Sequence, residues 1–172
     1  LWCYLGIMVG AAVLIGLNIY PSIKDISDTA IASFFQVSSI MTTTGYSTVD
    51  FDLWPAFSKT IIVILMFIGA SAGSTGGGIK VSRFIIAIKS IKRDIKKMLH
   101  PRSVASVKFE GKNLDEQTAN GVSVYFAIYF ILFLALLLLV SLNGFDFETN
   151  FSAVSACFNN IGPGFGAVGP AG

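Results

Sequence analysis

Thr43, Thr44 and Gly45 stand in the stretch MTTTGYS (41–47), and Asn160, Ile161 and Gly162 stand in NNIGPG (159–164). Each stretch offers carbonyl and hydroxyl oxygens beside a glycine that lets consecutive carbonyls turn toward one axis. A potassium ion sheds its hydration shell only where such oxygens replace it. Pro163 fixes the backbone after the second turn. Taken singly, either stretch reads equally well as a surface turn, because Asn, Gly and Pro are turn formers. The spacing shifts that balance. An offset of 117 positions carries Gly45 onto Gly162, Phe34 onto Phe151, Val37 onto Val154 and Ser38 onto Ser155. The two turns therefore occupy one place in a repeated pattern, as a cation path built from repeats requires.

The elements that position these turns belong to a membrane. The chain is 53% hydrophobic and 13% charged, with fifteen Phe and a mean hydropathy of +0.72, more apolar than an ordinary soluble domain. Residues 122–142 contain no Asp, Glu, Lys or Arg and suffice to cross the roughly 30 Å hydrocarbon core. Residues 1–20, interrupted by Asn18, form a second candidate span, and residues 53–68, with Pro55 and Lys59 near their start, a third. The first lacks the basic and small-residue flanks of a cleaved leader and is expected to be a span. Between the spans, Ile26, Ala30, Phe34, Val37 and Met41 recur at three- and four-residue steps, predicting a short helix over 27–41. Residues 149–158 repeat it. Both segments are too short to cross, so each is expected to dip in and return, and a non-helical turn at membrane depth needs protein or water around it.

Charge orients the arrangement. Ten of the twelve basic residues fall between positions 80 and 112, which places that connection in the cytoplasm by the positive-inside rule. Asp25, Asp28, Asp50, Asp52, Asp146 and Glu148 then flank the turns on the outer side. There they either concentrate cations at a mouth or serve as ordinary solvated charge.

Residues 69–78 (GASAGSTGGG) interrupt the third span before it reaches the inner surface. Gly69, Gly73, Gly76, Gly77 and Gly78 weaken any helix there, and Ser71, Ser74 and Thr75 offer competing hydrogen bonds. A flexible polar loop in line with the turns is a candidate gate, and close helix packing by small residues is the alternative. The same glycines nearly spell a nucleotide-binding loop, but Ile79 separates Gly78 from Lys80 and Val81 follows, so the lysine and hydroxyl of that motif are misplaced. Residues 79–99 read as a basic amphipathic helix with Phe84, Ile88, Ile91, Ile95 and Met98 on one stripe. It suits either an anionic leaflet or an extension of the span. His100, the single histidine, precedes Pro101 and marks a helix end. Cys3 and Cys157 are expected to be free, buried thiols. No catalytic triad or carboxylate pair is present, so an enzyme is not expected, nor is a nucleic-acid partner.

These residues resemble the Trk/Ktr/HKT superfamily of potassium transporters, and within it the Trk-type (TrkH-like) uptake subunits of bacteria. The carrying motifs are TTTGYS, NNIGPGFG, the glycine-rich 69–80 stretch, and His100-Pro101-Arg102 followed by Val107-Lys108. The resemblance implies an all-α integral membrane fold of repeated span, pore helix, filter loop and span. Residues 1–99 would form a third unit, 100–117 a cytoplasmic connection and 118–172 a fourth unit truncated after its filter, the whole being an internal piece of a longer protein. It further implies potassium as permeant ligand, with Thr43, Thr44, Gly45, Asn160, Ile161 and Gly162 as filter. Gly69, Gly73, Ser74, Thr75, Gly76, Gly77 and Gly78 would belong to an intramembrane gate. The implied partners are a second copy of the pore chain, a cytoplasmic nucleotide-binding regulatory subunit of the TrkA type and membrane lipid, in a bacterial inner membrane. A sodium-permeable or ion-coupled member of the superfamily stays open, as does a non-conducting assembly subunit in which the glycines serve packing alone.

Overall fold

A computed structural model describes residues 2–71, 73–100, 108–109 and 112–170. Long apolar runs give the long helices α1 (Trp2–Ile23) and α5 (Glu116–Ser141), about 33 and 39 Å at 1.5 Å per residue. Both cover the bilayer core. Each is followed by a short helix, α2 (Ile26–Met41) and α6 (Phe147–Phe158), that packs back against it. The expected 27–41 and 149–158 helices are thus present, each starting slightly earlier than periodicity predicts.

The third apolar run does not form one span. Phe51–Leu53 make a short 3-10 turn, Trp54 and Pro55 are extended, and α3 (Ala56–Phe67) has only 12 residues, about 18 Å. It ends where the glycine-rich stretch begins. Two-residue strands β1 (Ile68–Gly69) and β2 (Ile79–Lys80) pair in parallel, Ile68 with Ile79 and Gly69 with Lys80, closing the base of the loop. α4 (Val81–Leu99) follows and packs on α5. Strands β3 (Lys108–Phe109) and β4 (Lys112–Asn113) form an antiparallel pair in the connection. Pro101, Arg102 and Val107, named in the sequence reading, lie outside the described residues.

The core sits where α1, α2 and α3 meet. Ala12, Ile15 and Ile19 of α1 pack with Val37, Ile40 and Met41 of α2 and Ile62, Leu65 and Met66 of α3. Gly16 permits the close approach, since a Cβ there would lie 3.3 Å from Ser33 Oγ. Asn18, the polar interruption of the first span, accepts from Ser58 Oγ at 2.8 Å, which satisfies a group that hydrocarbon would penalise. Phe67 of α3 meets Phe133 of α5 at 5.3 Å, and Phe133 meets Phe151 of α6 at 5.6 Å, both edge-to-face. These rings tie the second repeat to α3. Much of α5, including Ile131, Leu138 and Leu139, faces outward, as a lipid-facing surface does.

One expectation needs correction. Cys3 and Cys157 are free but exposed, because each stands on a helix face that no described element covers; an apolar neighbourhood in sequence did not specify the face. On α4 the buried positions are Val81, Ile86 and Ser90, whereas Ile88, Ile91, Ile95 and Met98 are exposed. Phe84 of the stripe meets Phe126 of α5 at 5.4 Å, beside Arg83 stacked over Tyr125 at 4.1 Å.

Candidate functional site

The two glycine turns follow directly from the C-termini of α2 and α6, and they end those helices in the same way. Thr42 N–H donates to Ser38 O (2.9 Å), Thr43 N–H to Ile40 O (3.0 Å) and Thr44 N–H to Ser39 O (2.9 Å). In the second repeat Asn159 N–H donates to Ser155 O (3.2 Å), Asn160 N–H to Cys157 O (3.1 Å) and Ile161 N–H to Ala156 O (2.8 Å). Every donor and acceptor in the second set is the counterpart of one in the first at the offset of 117. Backbone angles repeat as well. Thr43 and Asn160 adopt φ of +56° and +55°, and Gly45 and Gly162 adopt +80° and +117°. Asn tolerates the left-handed region, whereas a β-branched Thr is strained there. Such strain persists where surroundings over-determine it, commonly at functional sites.

The helices aim their C-termini, the negative ends of their macrodipoles, at the turns, which favours a cation. Their N-termini are capped. Asp25 accepts from Ser27 and Asp28 N–H at 2.7 and 3.2 Å. Asp146 accepts from Thr149 N–H at 3.1 Å and from its hydroxyl at 2.6 Å, which holds the Asp146 carboxyl below its ordinary pKa.

Near the first turn, Ser39 O and Ile40 O are engaged by the helix end and Tyr46 O by Ser39 Oγ at 2.6 Å. In the second repeat Ala156 O, Cys157 O and Phe165 O are likewise engaged. The carbonyls of Thr43, Thr44, Gly45, Asn160, Ile161 and Gly162 accept no hydrogen bond from any described residue, and neither do those of Thr42 and Asn159 just before them. The turns adjoin. A Cβ added at Gly45 would penetrate the Ile161 carbonyl oxygen, and one at Gly162 would lie 3.7 Å from Gly45 Cα.

The 69–78 loop reaches this same place. Gly77 N–H donates to Thr43 Oγ1 at 3.3 Å, and a Cβ at Gly77 would collide with the Asn159 carbonyl. Gly76 would place a Cβ 3.2 Å from Thr43 Oγ1. Gly69, Ser74, Gly76, Gly77 and Gly78 thus share one compact loop, held by Lys80 Nζ donating to Ser74 O at 2.7 Å and Ser74 Oγ accepting from Gly76 N–H at 3.1 Å. Gly73 has nothing within 4 Å of a Cβ, and no hydrogen bond involves Thr75 among the described residues.

Sequence reasoning missed the brace behind the second turn. Asn159, fully buried, accepts from Tyr129 Oη at 2.5 Å through Oδ1 and donates to Ser155 O at 2.9 Å. A Tyr in an apolar run gave no signal of that role. It also treated the outer acidic residues as one field, whereas Asp25, Asp50 and Asp146 cap helices and Asp52 and Glu148 pair with Lys59.

A family model described as TrkH, cation transport protein, matches residues 11–171. The chain is 38% identical over 151 residues to the Trk system potassium uptake protein TrkH of Salmonella typhimurium, covering 88% of this chain and 31% of that protein. It is 34% identical over 166 residues to TrkG, a Trk system potassium uptake protein of Escherichia coli K12, covering 96% of this chain and 34% of that one. The crystal structure of the potassium transporter TrkH from Vibrio parahaemolyticus superposes with a TM-score of 0.87 at 35% identity, covering 96% of this chain and 36% of that one. The chain spans about a third of the length of the curated relatives it matches.

Proposed function

This chain belongs to the TrkH family of cation transport proteins, an all-α membrane fold of repeated pore-helix units, and we propose that its parent takes up potassium across the bacterial inner membrane. The observation that carries the reading is the pair of matching turns at 43–45 and 160–162, which end their helices through equivalent hydrogen bonds, repeat each other's backbone angles and lie against each other. Their carbonyls, which accept no hydrogen bond from any described residue, are left to an ion or water. Thr43, Thr44 and Gly45, with Asn160, Ile161 and Gly162, form two of the strands of a filter that replaces the ion's hydration shell. Potassium then moves down its electrochemical gradient.

Gly69, Gly73, Ser74, Thr75, Gly76, Gly77 and Gly78 form the gate. Support comes from the Gly77 to Thr43 hydrogen bond, which puts the loop against the turn. The β1–β2 pair holds both loop ends, so opening displaces the loop's middle without unfolding α3 or α4. Residues 1–99 make the third unit of the parent, 100–117 the connection and 118–172 the start of the fourth. Positions 80–112 lie in the cytoplasm, where α4 with its exposed Lys92 and Lys96 meets a nucleotide-binding regulatory subunit of the TrkA type. The pore chain works as a homodimer.

The test is cation flux into liposomes containing the complete parent chain, comparing potassium, rubidium and sodium, with Gly45→Ser beside wild type. Folded Gly45→Ser protein that loses potassium and rubidium flux, or its selectivity over sodium, supports the filter. A parent that passes sodium equally well assigns the chain to a sodium-permeable branch. A parent that passes no cation, even with its loop shortened and its partner supplied, refutes the pore.

A further inference from the structure

Lys59 stands in the first turn of the apolar helix α3 and faces acidic groups from both repeats. Its ammonium stands 2.7 Å from Asp52 Oδ1 and 3.2 Å from Glu148 Oε1, and 5.4 Å from the centre of the Phe165 ring. Asp52 has a second task. Its Oδ2 accepts from the backbone N–H of Gly166 at 3.1 Å, four positions beyond Gly162. One carboxylate of the first repeat therefore bridges a lysine of its own repeat and the chain leaving the turn of the other.

That outgoing chain is otherwise anchored by its own repeat. Gly164 N–H donates to Val168 O at 2.7 Å, closing a tight reversal. Phe165 N–H donates to Ser152 Oγ at 2.9 Å and Ala167 N–H to Thr149 Oγ1 at 3.3 Å. Phe165, 2% exposed, stands edge-to-face on Phe51 at 5.3 Å. The contacts to Asp52 and Phe51 come from outside the second repeat and fix where its turn sits relative to the first. Gly166 N–H has Asp52 as its acceptor, and Asp52 is held in place by Lys59. The Lys59 and Asp52 side chains are 25% and 27% exposed, shielded enough to escape the weakness of a fully solvated surface pair.

We propose that Lys59 and Asp52 are positioning residues for ion selectivity, setting the 160–162 turn against the 43–45 turn through Gly166 and Phe165. The proposal rests on the filter reading of those turns. Neither side chain touches the ion; both act on carbonyl spacing, and discrimination between potassium and sodium depends on that geometry.

The test uses the full parent chain in liposomes, reading the potassium-to-sodium flux ratio for wild type, Lys59→Met, Lys59→Arg, Glu148→Gln and Asp52→Ala, each checked for folding by size-exclusion chromatography. Lys59→Met and Asp52→Ala should lower the ratio by about tenfold, equivalent to about 1.4 kcal/mol. Lys59→Arg should restore it, because a guanidinium can span two carboxylates. Glu148→Gln, which leaves Asp52 paired, should fall between. A merely structural pair would lower the yield or melting temperature and leave the ratio of the surviving protein unchanged. Folded Lys59→Met within about twofold of wild type overturns the proposal alone; if that variant is not recovered folded, the same result for Asp52→Ala overturns it. A wild type that shows no cation flux overturns the filter reading and this proposal together.

Discussion

Gly45→Ala is the most exacting perturbation of the two turns. Gly45 has φ of +80°, and an L side chain in that left-handed region costs about 1–2 kcal/mol. The added Cβ would also penetrate the Ile161 carbonyl oxygen, with the Ile161 carbonyl carbon at 3.2 Å and Pro163 Cδ at 3.6 Å. Backbone and proline-ring atoms have no alternative rotamer, so the turns must separate, and overpacking of this kind costs about 1–3 kcal/mol. The total is about 2–5 kcal/mol. Gly73 supplies the control. Its φ is +84°, yet nothing lies within 4 Å of a Cβ, so Gly73→Ala carries only the backbone strain of about 1–2 kcal/mol. Thermal unfolding of the purified parent should place the Gly45→Ala melting temperature below that of Gly73→Ala. Potassium-to-sodium flux ratios should change in Gly45→Ala alone. Equal destabilisation to within about 0.5 kcal/mol, with a wild-type flux ratio in Gly45→Ala, would refute the claim that the turns are in forced contact.

Three further outcomes follow from the same geometry. Thr43→Val removes the acceptor of the Gly77 N–H, about 0.5–1.5 kcal/mol, and should raise the initial potassium flux by about two- to tenfold relative to Thr43→Ser, which keeps the hydroxyl. Tyr129→Phe leaves the buried Asn159 Oδ1 without its 2.5 Å donor, costs about 1–3 kcal/mol, and should be read as a lowered melting temperature. Asp146 has a pKa lowered in the folded chain by the Thr149 hydroxyl and N–H. Its stabilisation is present above the unfolded value and lost as pH falls through the folded one. Melting curves taken from about pH 6 down to about pH 3 should fall more steeply for wild type than for Asp146→Asn, whose uncharged side chain still caps α6.

Two spans, the short helices that follow them and the position of the turns were legible in the sequence. Hydrophobic length, three- and four-residue periodicity and glycine density are local properties, and each is decided by physics acting within a few helical turns. Residues 69–78 illustrate this: their glycines stop α3 at Phe67 before any tertiary contact matters. The 117-residue repeat went further, predicting equivalent places for Gly45 and Gly162, and the hydrogen bonds ending α2 and α6 match residue for residue. Faces and long-range partners were a different matter. Periodicity put a stripe on α4 but could not say that it stays uncovered by this chain, and composition put Cys157 among apolar residues without showing that it faces outward. Only the packed chain brings Gly77 to Thr43, Tyr129 to Asn159, and Lys59 to Glu148 across 89 positions. Such pairs depend on how helices rotate and settle against one another, and a one-dimensional pattern carries no record of that rotation.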